Sequence, residues 1–483
     1  MKRAMATYDF DKLIERRGTG AIKWDALEER FGNANLLPLW VADMDFETPP
    51  FIVEALKRRM EHPVFGYTAT PEGYWTTVCQ WIETHHDWKV RPEWLTYIPG
   101  IVKGIGMAIN VFVKEDEKVI IQPPVYHPFR LVPYNNHREV VYNPLRQKSD
   151  GLYEMDFDNL EQVADGKCRM LILSNPHNPA GVVWDRETLV RLADFCHRRN
   201  IIVVSDEIHG DMALWDNRHV PFATVSPEAE ACSITFGAPS KTFNIAGIVS
   251  SYAVVPNDGL RTRFYQWMEA NELNWPTIFA TIATQAAFQE GEPWRQEMLR
   301  YVEGNILFVE EYCREHIPQI RPIRPQASFL VWLDCRGLGL PQRELVSLFV
   351  DKAGLALNDG AMFGKEGEGF MRLIQPKAGG NSAESNHCHQ PNEGTYRLLF
   401  QVARGNGIAG VILALGIACR IQHRKPNAKQ QQQQYQKGIV NTCGFFEKKP
   451  VLFGVQIFLP SHKKTPKLQF RKFQTRQAGT AAR

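Results

Sequence analysis

No stretch of these 483 residues reaches the roughly 20 consecutive apolar side chains of a membrane-spanning helix. The opening MKRAMATYDFDKLIERRG has charges where an export signal needs an apolar run of about 7 to 15 residues. A soluble, unexported chain is therefore expected. Cysteine pairs are missing too: the nine cysteines, Cys79, Cys168, Cys196, Cys232, Cys313, Cys335, Cys388, Cys419 and Cys443, form no CxxC motif and no disulfide framework. Free thiols in a reducing cytosol fit that scatter. No internal repeat is present, which excludes solenoids and propellers.

Acidic residues run out near the end. Residues 376 to 483 hold 17 Lys and Arg against Glu384, Glu393 and Glu447, so this tail is +14 and residues 1 to 375 are −11, within a total of +3. The tail also carries five consecutive glutamines, Gln430 to Gln434, and one strongly apolar piece, GIAGVILALGIACRI (407 to 421), too short to span a membrane. It is expected to be poorly ordered. Its charge permits nonspecific attraction to polyanions, but no recognised fold accompanies it, so no nucleic-acid partner is expected.

What is present is a wound α/β pattern. Between about residues 51 and 290, short apolar runs alternate with helical stretches. The strands predicted are Trp94 to Ile98, Lys118 to Gln122, Met170 to Ser174, Ile201 to Ser205, Ser233 to Phe236 and Ser251 to Val255; several are continuous apolar runs, as strands covered on both faces should be. Helices are read at 101 to 113 and 187 to 199. After about residue 290 come a long helix (EPWRQEMLRYVEGNILFVEEYCREH), a strand (SFLVWLDC), a helix (ELVSLFVDKAG) and a last strand (GFMRLI), a smaller α+β unit. The domains expected are 1–50, an N-terminal segment packing with the small domain and the substrate site; 51–290, a large domain; 291–375, a small domain that looks truncated; and 376–483, the basic tail.

The chemistry gathers at strand ends. In GAPSKTFNIAG, Lys241 follows an apolar strand and a small-residue turn. Alone it would be an exposed loop cation. As a nucleophile it must be partly desolvated and held near an electron sink, which pyridoxal 5′-phosphate supplies. In VVSDEIHGDM, Asp206 follows the strand IIVVS, where ligands bind in open α/β sheets, and a buried carboxylate there would match a protonated pyridine nitrogen. The plainer alternative is a loop cap. Asn178, in SNPHNPAG, offers a side-chain amide to the cofactor's phenolic oxygen, or merely forms a turn. Tyr126, in QPPVYHPFR, offers a ring face for stacking, or is core. The Pro-Gly turn of PGIVKGI opens a helix whose first N–H groups suit a phosphate.

Together, NPxNPxG, SDEIH and PSKTFN, in that order, resemble the fold type I pyridoxal phosphate enzymes of the aminotransferase class I/II superfamily. LPLWVADMDFETPP (37 to 50), FGY (65 to 67), SDEIHGDM and APSKTFNIAG are similar to the MalY/PatB-type cystathionine β-lyases, over roughly residues 7 to 373. The resemblance implies an α/β fold with a mostly parallel seven-stranded sheet covered by helices. It implies a cytoplasmic homodimer acting on a small amino acid, without a metal, and with Lys241 catalytic. Asp206, Asn178, Tyr126 and His209 would face the cofactor, His209 replacing a tyrosine found in many aminotransferases. Ser240 and the backbone of Ile101 and Val102 would hold phosphate, and Tyr67 would reach the phosphate of the partner subunit. Arg372, in GFMRL, would grip the substrate carboxylate through its planar fork, where the alternative is a surface strand arginine.

The implied reaction is α,β-elimination of cystathionine or related cysteine S-conjugates to thiol, pyruvate and ammonia. An aminotransferase would use the same lysine, and only the lyase-type motifs favour elimination. A noncatalytic or regulatory protein of this fold is a further alternative. From Ile374 and Gln375 onward the chain departs from the family pattern, whose closing helix does not follow; a C-terminal frameshift, an altered terminal exon or a genuine basic extension would each give this.

Overall fold

The computed structural model describes residues 8–12 and 14–374. The readings made for the tail, residues 376 to 483, and for the junction at Gln375 lie outside the described residues.

Seven strands form the main sheet: β1 Leu95–Ile98, β2 Lys118–Ile121, β3 Glu139–Tyr142, β4 Cys168–Ser174, β5 Ile202–Asp206, β6 Ser233–Gly237 and β7 Ser251–Val254. Their order is β1-β7-β6-β5-β4-β2-β3. The pairings from β6 through β3 are parallel, and β7 is antiparallel to both of its neighbours. Every residue of β5 and β6 is buried, because helices cover both faces. One apolar cluster packs Leu171, Val203 and Leu192 on one side, and another packs Ile172, Val204 and Ile105 on the other. The six strands expected from apolar runs are all present. β3 was not foreseen: it is a short sheet edge whose two end residues are exposed and whose two middle residues are only half-buried.

The parallel register puts Ser174 beside Asp206 and Asp206 beside Phe236, so the chain leaves β4, β5 and β6 from one edge of the sheet. Those three exits lead to Asn178, to Asp206 itself and to Lys241. The helix Arg186–Arg198 is started by the Asp185 side chain, which accepts from Thr188 N–H.

A second, antiparallel sheet contains β8 Arg321–Ile323, β9 Leu330–Asp334, β10 Asn358–Asp359 and β11 Phe370–Ile374, in the order β8-β9-β11-β10. The 25-residue helix Glu292–His316 precedes it. Trp332, Arg372 and Asn358 are in register across three strands. The helix expected over 344 to 354 is shorter, Gln342–Ser347, and continues as a wider π-turn stretch, Leu348–Lys352. The N-terminal segment joins this part: Leu37–Pro38 pairs with Leu355–Ala356, and Ile374 N–H donates to the Leu39 carbonyl. Among the described residues no helix is long and apolar enough to cross a membrane, and no group of three or more His, Cys, Asp or Glu is placed to hold a metal.

Candidate active site

Lys241 follows the β6 edge after a three-residue link and is half-buried, its Nζ donating to the Ala42 carbonyl. Burial, then the positive charge of Arg372, lowers its amine to about 8, while Asp43 and Asp206 pull the other way. The neighbouring Ser240 is buried, with its carbonyl accepting from Ile245 N–H.

Asp206 closes β5. Its carboxylate accepts from Ile208 N–H at 3.2 Å and forms no ion pair. Burial pushes it up to about 7, against the pull of the Ile208 N–H and the Lys241 charge, and Glu207 adds to the rise. A carboxylate so placed calls for a cationic hydrogen-bond donor.

Arg372 is buried on β11 rather than exposed on a surface strand. One guanidinium nitrogen donates to Asn178 Oδ1 at 2.9 Å, the other to Asn358 Oδ1 at 2.7 Å and the Trp40 carbonyl at 3.4 Å, and the group lies 4.7 Å over the Phe363 ring. All these partners are neutral, and Nε is buried without any. Burial lowers the arginine to about 10. A buried guanidinium fork with only neutral partners is chemically suited to an anion.

Asn178 thus touches the Arg372 fork, and its carbonyl accepts from Tyr126 N–H at 3.0 Å. Burial raises the Tyr126 phenol above its ordinary value, with the Arg372 charge pulling down and the Asp206 charge adding to the rise. His209 is buried, with Nδ1 3.0 Å from Ser328 Oγ; burial, Lys241 and Arg372 push it down to about 3, so it stays neutral. Ile101 and Val102 open the helix Ile101–Phe112 behind Gly100, whose φ of +111° suits glycine. The first bond of that helix runs from Gly104 N–H to the Gly100 carbonyl, leaving the N–H groups of residues 101 to 103 without intrahelical partners. Tyr67 is not brought into this pocket within one chain; it is fully exposed.

The residues fit pyridoxal 5′-phosphate. The buried Asp206 lacks the cation that a protonated ring nitrogen would provide, the free helix N–H groups suit a phosphate, and Lys241 is lowered toward its unprotonated, nucleophilic form.

Several site residues escaped sequence reasoning. Asn244, three residues after the lysine and at φ +55°, donates from Nδ2 to the Met44 and Phe46 carbonyls at 2.9 Å each and accepts from Met44 N–H at 3.0 Å. It ties the segment that carries Ala42 to the lysine loop. The same segment is fixed from outside by Asp43 and Asp45, bonded to Arg16 and to the fully buried Lys23. Burial works upward on the Asp45 carboxyl, but Lys23 and Arg16 hold it below its ordinary value. The alternation of acids in VADMDF was the available signal. Asn358 had none, since it reaches Arg372 only through strand register. His127, next to Tyr126, is driven down to about 4 by burial and by the charges of Arg372 and Arg130.

The sequence profile described as aminotransferase class I and II matches residues 34–388. The chain is 42% identical over 366 residues to cystathionine beta-lyase PatB of Bacillus subtilis, covering 76% of this chain and 94% of that protein. Among solved structures, cystalysin from Treponema denticola, which contains pyridoxal 5′-phosphate, aligns with a TM-score of 0.75 at 28% identity over 86% of this chain and all of that one. The pyridoxal phosphate-bound C-S lyase from Staphylococcus hominis aligns with a TM-score of 0.71 at 30% identity, over 76% of this chain and 94% of that one.

Proposed function

The chain belongs to the aminotransferase class I and II family, and on that footing we propose that it is a pyridoxal 5′-phosphate-dependent carbon–sulfur lyase. It would convert cystathionine or related cysteine S-conjugates, with water, to a thiol, pyruvate and ammonia. The observation that carries the reading is the Arg372 guanidinium, buried with neutral partners only and bonded to Asn178, in the pocket where Lys241 and Asp206 influence one another. The similarity to PatB favours elimination over amino transfer, since the catalytic residues serve both.

The cofactor, when bound, supplies an electron sink conjugated to the substrate α-carbon. Asp206 would hold a proton on its ring nitrogen. Ser240 and the helix start at Ile101 and Val102 would bind its phosphate, Tyr126 would cover one face, and His209, neutral, would pack as a hydrogen-bonding wall. Asn178 would orient both the phenolic oxygen and the Arg372 fork. Arg372 would bind the substrate carboxylate bidentately, fixing the α-hydrogen toward Lys241 Nζ. With its amine near 8, Lys241 can take that proton close to neutral pH. The β-carbon then loses its thiolate.

The full site is assigned to a homodimer in which Tyr67 of each chain reaches the partner's phosphate. Its complete exposure on the single chain supports this. A cytoplasmic setting is supported by the six free cysteines of the described residues.

The test is to purify the chain with pyridoxal 5′-phosphate, record its visible band and assay pyruvate from cystathionine. The expected result is a band and pyruvate, both lost in Lys241→Ala. A band without pyruvate, with amination of a keto acid, would make the chain an aminotransferase; the absence of both activities would leave a binding role.

A further inference from the structure

Immediately behind Asp206 lies a second cluster of ionisable groups that the proposed reaction does not use. Glu207 Oε2 is 2.8 Å from His219 Nε2, while Glu207 Oε1 accepts from Ser205 Oγ at 2.8 Å and from Phe222 N–H at 2.9 Å. Across from it, Asp211 Oδ1 is 2.9 Å from His86 Nε2 and accepts from Trp81 Nε1 at 3.0 Å. The other Asp211 oxygen accepts from the hydroxyl of Thr242, the residue after the lysine, at 3.4 Å. The His86 and His219 rings meet edge to face with centroids 5.2 Å apart, and His219 packs on Gly210 so closely that a Cβ there would lie 2.8 Å from the ring.

Both histidines, both acids and Thr235 of β6 line a cavity of about 30 Å³. His86 Nδ1, His219 Nδ1 and the Thr235 hydroxyl are each buried with no protein partner. Each imidazole spends its Nε2–H on a carboxylate, so Nδ1 of the neutral ring is an acceptor. Two acceptors and one hydroxyl donor are the complement of a single water molecule, which donates twice and accepts once. The cavity exceeds the roughly 10–15 Å³ that one water needs.

We propose that one ordered water occupies this cavity, donating to His86 Nδ1 and His219 Nδ1 and accepting from Thr235, and that it joins the two acid–imidazole pairs into a network positioning Asp206 and the lysine loop. The network grips the chain on both sides of the site: Glu207 adjoins Asp206 and Thr242 adjoins Lys241. Glu207, His219, His86 and Asp211 are positioning residues, and the role rests on the cofactor-binding reading above.

Thr235→Val removes the donor to the water and keeps the side-chain shape. The expected result is a melting midpoint of the cofactor-free protein lower by about 1–3 °C and a dissociation constant for pyridoxal 5′-phosphate about 3- to 10-fold higher, read by fluorescence titration. Thr235→Ser restores both. An unchanged or higher midpoint, as expected when a methyl replaces an unpartnered buried hydroxyl, overturns the water. A lower midpoint with unchanged affinity overturns the positioning role. The melting measurement needs no cofactor, so a wild-type chain that binds none refutes the proposed function and the positioning role but leaves the water to be judged by the midpoint.

Discussion

Asp206→Asn separates what the carboxylate costs the empty fold from what it contributes to the site. In the cofactor-free chain the Asp206 carboxyl lies near 7 instead of its ordinary 3.8, chiefly through burial. A shift of about three pH units corresponds to about 4 kcal/mol, taken as a ceiling. The folded state binds this proton more tightly than the unfolded one, so stability falls as pH rises from about 4 to about 7 and stays low above that. The asparagine has no such proton. Its Oδ1 keeps the acceptor position toward Ile208 N–H, and the variant should be more stable than wild type at pH 7.5 by up to about 4 kcal/mol, with the gap closing toward pH 5. Burial holds His127, His177 and His209 neutral, which gives an opposite slope below about pH 6.5, but that slope is common to both proteins and cancels in the difference. Lys241, lowered to about 8, carries a constant cost below that pH and adds a slope only near and above it. Urea denaturation of both cofactor-free proteins between pH 5 and pH 7.5 measures the gap. The same variant should bind pyridoxal 5′-phosphate at least about tenfold more weakly, having lost a buried charge pair. A stability difference that does not vary with pH would refute the reasoning.

Two further substitutions test the arms of the site. Arg372→Lys replaces a fork aligned by Asn178 and Asn358 with a point charge, and kcat/KM for cystathionine should fall roughly 30- to 1000-fold, about 2–4 kcal/mol, while cofactor affinity measured by titration stays within about twofold. Asn244→Ala removes three hydrogen bonds to the Met44–Phe46 segment and places a Cβ-bearing residue with no local hydrogen bond at φ +55°. Hydrogen exchange at residues 42 to 46 should rise by an amount matching about 2–3 kcal/mol, and Asn244→Gly, which relieves only the backbone term, should recover about 1 kcal/mol of it.

The sheet was legible because several of its strands are continuous apolar runs, a pattern imposed by cover on both faces. β3 was not, since at an edge none of its four residues is buried and its apolar part is only three residues long. Lys241, Asp206 and Asn178 were legible for a related reason: each sits at the end of such a run or a few residues past it, and the parallel register carries consecutive strand ends to one edge. The partners of Arg372 were hidden. Whether an arginine in FMRLI faces solvent or the interior depends on which side of β11 is packed, and Asn358 becomes its neighbour only through pairing of strands 14 residues apart in sequence. The Ala42 carbonyl has no side-chain signal at all. Its place depends on Asn244 and on the ion pairs of Arg16 and Lys23, contacts spanning roughly 20 to 200 residues.

The pocket has an electrostatic logic that follows from these separations. Lys241 and Arg372 are both cations lowered by burial, each further disfavoured by or facing another positive group, and Asp206 is an anion raised by burial. Each charge is thus held where the protein alone compensates it poorly: Asp206 has only one backbone N–H, and Arg372 has only neutral oxygens. A ligand with a protonated ring nitrogen at one end and a carboxylate on the substrate attached to it would compensate both at once. On the proposed reading, a carboxylate bound at Arg372 would offset its charge at Lys241, so that the amine would rise from about 8 and become a stronger base. The arginine proposed to bind an α-carboxylate would therefore also strengthen the Lys241 base, and a substrate analogue lacking the carboxylate should lose turnover as well as affinity.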